Sequence, residues 1–239
     1  MDIILVGYGR MGKAIERLAL QRGHIVVERY DAPTSNVFRD THHFERGDVC
    51  IEFSVPQAAE INCSHCLDID MPVVSGTTGW LEGVRILQER ANREGKSFFY
   101  ASNFSLGVNV LFELNRRLAK IMGEQTDYIP FIKETHHIHK LDAPSGTALT
   151  LAESIVSNSN RFYYEGLSNS LEGERLEIES VREGEVPGIH EVVWRSSVDK
   201  ISLCHEAFSR NGFALGAILA AEYALTHKGA LTMEQMLGF

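Results

Sequence analysis

An α/β fold in two parts is what the sequence predicts, and three features predict it. The short apolar run Ile3-Ile4-Leu5-Val6 leads straight into Gly7-Tyr8-Gly9-Arg10-Met11-Gly12, followed by a helical stretch and a second apolar run. Strand-like runs then alternate with helical segments as far as Ala101. From Tyr128 the β-rich segments 128–135, 175–182, 189–195 and 199–206 lose that alternation. The first pattern predicts a Rossmann-type sheet, and the second predicts an inserted α+β domain with a mixed open sheet. The boundaries read as 1–105 plus 210–239 for the first domain and 106–209 for the second.

Taken in order, Ile3–Val6 is a buried strand, and Ile15, Leu18, Ala19 and Arg22 mark a helix that stops at Gly23. Ile25-Val26-Val27 is a second strand running out near Asp31. Strand, glycine turn, helix, strand and then an acid make up the dinucleotide fingerprint. Its first glycine turns the chain, its second admits a pyrophosphate and its third lets helix and strand pack. Asp31 has the better spacing for a ribose-binding acid, with Glu28 as the competitor. An acid on the 2′-hydroxyl favours NADH over NADPH, which Arg29 or Arg39 could soften. Val49–Ser54 and Pro72–Ser75 are further strands, separated by a helix over 57–67, and Gly76-Thr77-Thr78-Gly79 gives a close backbone approach at a strand end. A helix over 81–94 precedes a strand over Lys96–Ala101, which ends in Ser102-Asn103-Phe104-Ser105. Val108–Ile121 is a helix crossing between domains, 157–174 reads as a loop, and Ala214–Leu225 is an apolar helix returning to the first domain.

Composition narrows the function. A net charge of −9 argues against nucleic acid as partner, and no run reaches the ~20 apolar residues of a membrane span. Cys50, Cys63, Cys66 and Cys204 are too scattered for a disulfide framework, so Cys63-x-x-Cys66 reads as two thiols in a reducing compartment. With a strand at the very start and no leader-like segment, a cytoplasmic location is expected.

The chemistry concentrates in residues 134–148, ETHHIHKLDAPSGTA. His136, His137, His139 and Lys140 are proton donors a few residues before Pro144-Ser145-Gly146-Thr147, which opens a helix over Ala148–Val156. Backbone N–H groups at a helix start suit a carboxylate or phosphate. An ordinary capped turn would use the same residues, and His137-x-His139 could be a metal pair. No carboxylate or cysteine stands at ligand spacing beside that pair, so no metal is expected. The residues themselves read as a cationic acid–base site next to an anion cradle.

These motifs resemble the dihydrodipicolinate reductase family. The likeness rests on Gly7–Gly12, Gly76–Gly79, Asn103–Val110, residues 134–148, and His205–Arg210 followed by Phe213–Ala217. The resemblance implies reduction of a dicarboxylate substrate, 4-hydroxy-tetrahydrodipicolinate, by NADH or NADPH, with loss of water. It implies His136 as proton donor and acceptor, Lys140 as a second proton donor and His137 as a substrate contact. Gly146 and Thr147, with Ser145 beside them, would hold a substrate carboxylate. Gly7, Tyr8, Gly9, Arg10 and Met11 would form the first cofactor loop, Gly76, Thr77 and Thr78 the second, and Ala101, Ser102, Asn103 and Phe104 the third. Asp31 takes the place of the ribose acid. The resemblance also implies a homotetramer assembled through the second domain's sheet, while the two-domain plan itself sets the histidine stretch on the second domain, facing the nicotinamide across a cleft. Departures fall on cofactor choice: the first loop is one residue tighter than is common in the family, and the connections at 32–48 are compact.

Overall fold

The computed structural model describes residues 1–31, 46–168 and 171–239. Arg39 and most of the compact 32–48 connection lie outside them. The elements are β1 (Asp2–Val6), α1 (Arg10–Gln21), β2 (Ile25–Tyr30), β3 (Val49–Glu52), α2 (Pro56–Asp68), β4 (Val73–Ser75), α3 (Leu81–Glu94), β5 (Ser97–Tyr100) and α4 (Leu106–Met122). There follow β6 (Ile129–His136), α5 (Gly146–Ser157), β7 (Phe162–Tyr163), β8 (Glu174–Arg175), β9 (Glu177–Arg182), β10 (Gly188–Arg195), β11 (Lys200–Ala207), α6 (Asn211–Ala224), β12 (Gly229–Leu231) and α7 (Met233–Leu237). The chain divides into one compact unit of Met1–Leu106 with Asn211–Phe239 and another of Gly107–Arg210.

The first unit is a parallel six-stranded sheet in the order β12-β5-β4-β3-β1-β2. Successive side chains of a strand point to opposite faces, so Ile3 and Leu5 join one core while Ile4 and Val6 join the other. The first core is closed by Ile15 and Ala19 of α1 and by Ala214, Ala217, Ile218, Ala220, Ala221 and Ala224 of α6. The second is closed by Ala59, Cys63, Cys66 and Leu67 of α2 and by Val84, Leu87 and Ala91 of α3. Helices on both faces explain why these strands are continuous apolar runs rather than alternating ones. The alanine-rich face of α6 permits close approach: a Cβ at Gly216 would fall 1.7 Å from the Phe104 carbonyl oxygen. Sequence reading stopped short of β12, whose Gly229-Ala230-Leu231 is too short and too weakly apolar to signal a strand alone.

The order places the switch point between β1 and β3, because β2 lies to one side of β1 and the later strands to the other. Ligands of open α/β sheets bind at such a point, beyond the carboxyl ends of the strands.

The second unit carries a four-stranded sheet, β11-β10-β6-β9, covered on one face by α4 and α5 through Leu111, Ala119, Leu151, Ala152 and Ile155. Its mixed character has a definite cause. The β10 pairs with β6 and with β11 are antiparallel, but β6 and β9 are parallel because α5 carries the chain back between them. Part of the segment read as a loop over 157–174 is ordered differently: Phe162-Tyr163 and Glu174-Arg175 form a short parallel pair. Phe162 packs edge-on against the fully buried Trp194, which ties that pair to the core.

Candidate active site

Three loops at the carboxyl ends of the first unit's strands form the dinucleotide candidate. Gly7 follows β1 with φ of +89°, and a Cβ there would lie 2.1 Å from the Phe53 carbonyl oxygen. A Cβ on Gly12 would meet the Gly7 carbonyl oxygen at 2.3 Å. Gly9, the residue before α1, has nothing within 4 Å of the same position. Two of the three glycines are therefore fixed by packing within the protein, whereas the middle one faces open space, as close approach of a pyrophosphate requires. Arg10 and Met11 begin α1, and the Tyr8 hydroxyl donates to Glu16, which also holds Arg29. Asp31 is exposed just beyond the end of β2.

The second loop is organised by a residue that sequence reading passed over. Glu52, fully buried at the end of β3, accepts hydrogen bonds from Ser54 N at 2.8 Å, the Ser54 hydroxyl, Ser75 Oγ at 2.6 Å and Thr77 Oγ1 at 3.0 Å. Thr77 thus turns its hydroxyl inward and Thr78 stays exposed. Gly76 accommodates the Phe53 ring, 2.2 Å from where a Cβ would stand. In the third loop Ser102 is exposed and Asn103 Oδ1 accepts from Ser105 N at 2.9 Å. Ala101 and Phe104 are core residues, the latter packed on Phe53 and Phe99, so only their backbone is free to face a ligand.

The second unit brings the histidine stretch together with partners distant in sequence. Pairing register sets Ser180 of β9, Glu134 of β6, His190 of β10 and His205 of β11 in one row across the sheet. One step further along come Arg182 and His136, which pair with each other, and Gly188. A Cβ on Gly188 would lie 3.1 Å from His136 Nε2, so that glycine leaves room for the ring. Glu134 is fully buried. Its carboxylate accepts from Ser145 N at 3.1 and 3.2 Å and from Ser180 Oγ at 2.7 Å, with Arg182 at 3.4 Å. His136 Nδ1 is 3.3 Å from Glu134 Oε2, and His190 Nε2 is 3.8 Å from the same oxygen. The two imidazoles meet edge to face at 4.9 Å.

Ser145 caps α5, its Oγ accepting from Ala148 N at 3.2 Å and lying 3.2 Å from His190 Nε2. Its own N–H is given to Glu134, so the part of the cradle open to a ligand begins at Gly146, which is exposed with nothing within 4 Å of its Cβ position. Thr147 follows in the same first turn. Lys140 Nζ lies 2.7 Å from both oxygens of Asp142, and Arg182 anchors this turn through the Asp142 carbonyl at 2.6 Å. The His137 and His139 rings lie 6.0 Å apart, and His139 pairs with exposed Glu185 at 3.2 Å. Glu134, His136 and His190 each bring one potential ligand atom within 4.8 Å of the others. A dication there would sit beside the Arg182 guanidinium and displace the donors that already satisfy the carboxylate, so the donor set fits a proton network better than a metal.

Sequence reading missed Ser180, Arg182 and His190 and gave Glu134 no role. His190 carried a signal: on β10 it shares the inward face with Val192 and Trp194, a polar residue at an apolar position. Burial acts on all these groups. It would raise the Glu134 carboxyl, but the hydrogen bonds of Ser145 and Ser180 outweigh it and hold the group below its usual range. Burial lowers His136 against the pull of the Glu134 charge, and it lowers His205 too. Burial, then the neighbouring His136, drives His190 from 6.5 down to about 4. A histidine that stays neutral when folded makes the unfolded state the better proton binder between these two values. Stability should therefore fall as pH drops from about 6.5 to about 4, by on the order of 3 kcal/mol from His190. Urea unfolding at pH 7 and pH 4.5 would show it, with His190→Gln flattening the difference. Undiminished stability at pH 4.5 would refute the neutral buried ring.

Comparison with known proteins agrees across the whole chain. Residues 1–104 match the family model described as dihydrodipicolinate reductase, N-terminus, and residues 107–237 match dihydrodipicolinate reductase, C-terminus. The chain is 48% identical over 237 residues to a 4-hydroxy-tetrahydrodipicolinate reductase of Christiangramia forsetii, covering 99% of this chain and 98% of that one. It is 35% identical over 248 residues to one of Akkermansia muciniphila, covering 100% and 98%. Among solved structures, a dipicolinate-bound dihydrodipicolinate reductase from Paenisporosarcina sp. TG-14 has the same fold, with a TM-score of 0.80 at 21% identity over 97% of each chain. A diaminopimelate dehydrogenase of C. glutamicum is more distant, with a TM-score of 0.57 at 14% identity over 98% of this chain and 92% of that one. With both halves matched in order and near-full-length relatives well above 30% identity, this chain belongs to the dihydrodipicolinate reductase family.

Proposed function

We propose that this protein uses a reduced nicotinamide dinucleotide to convert 4-hydroxy-tetrahydrodipicolinate to tetrahydrodipicolinate with loss of water, a step toward diaminopimelate and lysine. The observation that carries this reading is the junction at Glu134, which touches both the His136 ring and the start of α5. An acid–base group and a carboxylate-binding helix end are thereby held together, as a dicarboxylate that gains a proton during reduction requires. When bound, the reduced nicotinamide supplies a hydride to the conjugated imine ring. The protein's own residues do the rest. Gly146 and Thr147 hold a substrate carboxylate at the α5 N-terminus, and His137 contacts the substrate. His136 protonates the carbon or enamine on which negative charge develops. Lys140, paired with Asp142, supplies positive charge and a second proton.

In the first unit, Gly7 to Met11, Gly76 to Thr78 and the backbone of Ala101 to Phe104 hold the dinucleotide. The exposed Asp31 at the end of β2 favours NADH, and the competing Arg29 is engaged by Glu16. The second unit's sheet has a face turned away from Ile132, Val192 and Trp194, where Ile129, Phe131, Ile189 and Val193 stay at least partly exposed. That face assembles the homotetramer. We place the protein in the cytoplasm; among the described residues no helix is long and apolar enough to cross a membrane.

Oxidation of NADH and NADPH, with substrate generated in place by its synthase and a synthase-free blank, tests the reaction. Rapid oxidation is expected, and His136→Gln should lower kcat by roughly 10²–10⁴-fold with little change in cofactor affinity. A folded protein that binds NADH yet oxidises none would instead keep the motif for another substrate or a sensing role. For Asp31→Ala, the NADH-to-NADPH ratio of kcat/KM should shift toward NADPH by about tenfold, the equivalent of about 1.4 kcal/mol; an unmoved ratio would shift the role to Glu28 or to neither. Light scattering of the purified protein should give a tetramer's mass, and a monomer's mass would remove the sheet face from assembly.

A further inference from the structure

We propose that Glu134 is a positioning residue that fixes the tautomer of His136, so that this ring delivers its proton from Nε2. The inference rests on the reading of His136 as the proton donor. His136 Nδ1 is buried and has no aligned hydrogen-bond partner; the acceptor near it is Glu134 Oε2 at 3.3 Å. A buried imidazole nitrogen beside a carboxylate keeps its proton, since a lone pair facing that charge would be repelled and unsatisfied. Nδ1–H is therefore the settled end of the ring, and Nε2 is the end that changes. In the proton-transfer step the Nε2–H bond breaks as a bond from hydrogen to the substrate forms. The ring electrons stay on Nε2, and His136 is left as the neutral Nδ1–H form with no need to flip. The carboxylate–imidazole logic is that of an acid that orients a histidine and stabilises its cation without taking the proton itself.

The remaining contacts make Glu134 suited to this task. Ser180 Oγ, Ser145 N and Arg182 approach its carboxylate, so it cannot rotate away from His136 without losing them. His190 closes the other side with its ring against His136 and its Nε2 3.2 Å from Ser145 Oγ. The groups that face His136 are thus Glu134 on its own strand, His190 on β10, Arg182 on β9, and Lys140 and Asp142 on the turn beyond β6. His205 stands behind His190 on β11. Of these, Glu134 is both negatively charged and within hydrogen-bonding reach of Nδ1.

Long-range ¹⁵N–¹H NMR of the histidine rings in the intact protein reads the tautomer directly. Neutral His136 should be the Nδ1–H form; the Nε2–H form would overturn the proposal. Glu134→Gln should lower kcat on the order of 10²-fold with cofactor KM within about twofold. It should also move the alkaline limb of the pH–rate profile to lower pH, because the charge supporting the protonated ring is lost. Glu134→Asp, which restores the charge, should bring the limb back toward its wild-type position. A slow Glu134→Gln enzyme with an unmoved limb and an unchanged tautomer would reduce Glu134 to a structural role and sink the idea. Should Glu134→Gln fail to fold, the wild-type tautomer and the Glu134→Asp profile decide. Failure of the parent reading looks different: His136→Gln would then turn over at a near-normal rate, whatever tautomer the NMR spectra report.

Discussion

Burial of the Glu134 carboxylate is the constraint on which the second unit depends. Taking such a charge out of water costs several kcal/mol unless donors surround it. The fold supplies them from β9 and from the start of α5. Ser180 and Arg182 of β9 and Ser145 at the start of α5 donate hydrogen bonds to the carboxylate, while the rings of His136 on the same strand and His190 on β10 pack beside it. This arrangement explains the parallel pairing in an otherwise antiparallel sheet. Only a return crossing through α5 puts a helix N-terminus and a neighbouring strand against the end of β6 together. The positive end of the helix serves the protein's own anion through Ser145 and leaves Gly146 of the same turn exposed.

The first unit solves the same problem with neutral donors. Among the described residues no lysine or arginine pairs with Glu52, which is instead held by a backbone N–H and three hydroxyls. Those donors lie on the β3 exit, on the end of β4 and in the loop read as cofactor-binding. Each unit therefore places a buried carboxylate toward a strand end and uses it to fix the loops read as ligand-binding. The conformational cost of shaping these loops is met during folding rather than at binding, which is what preorganisation means physically.

How much of this was legible beforehand follows from the range of the interactions. The glycine fingerprint, the strand alternation and the histidine-to-Ser-Gly-Thr segment are local patterns, and each fell where its spacing implied. Register is not local. Nothing in the sequence says that residue 134 stands opposite 190, or that 182 reaches back to the turn at 140–142, because those pairings depend on strand order and on the α5 crossing. Gly188 shows the point sharply: its missing side chain leaves room for the His136 ring, and only the strand register brings the two together. Phe104 shows the converse, a motif residue whose side chain serves the core. β12 escaped notice because three weakly apolar residues become a strand only where β5 offers an unpaired edge.

The electrostatics of His136 connect these constraints to the proposed reaction. Burial and the cations Lys140 and Arg182 disfavour the protonated ring, Glu134 and Asp142 favour it, and the balance leaves it below its ordinary value. Taken alone that would make a poor proton donor at neutral pH, since few rings would hold the proton. A dicarboxylate bound at the start of α5 changes the sum. An added negative charge near the ring favours its protonated form, as Glu134 and Asp142 already do. In the proposed reading a bound dicarboxylate therefore draws the proton toward His136. Glu134 then decides where on the ring that proton is available. In that reading substrate binding and acid loading become one event, and the buried carboxylate holds the unloaded ring as the Nδ1–H tautomer, leaving Nε2 to take up and deliver the proton.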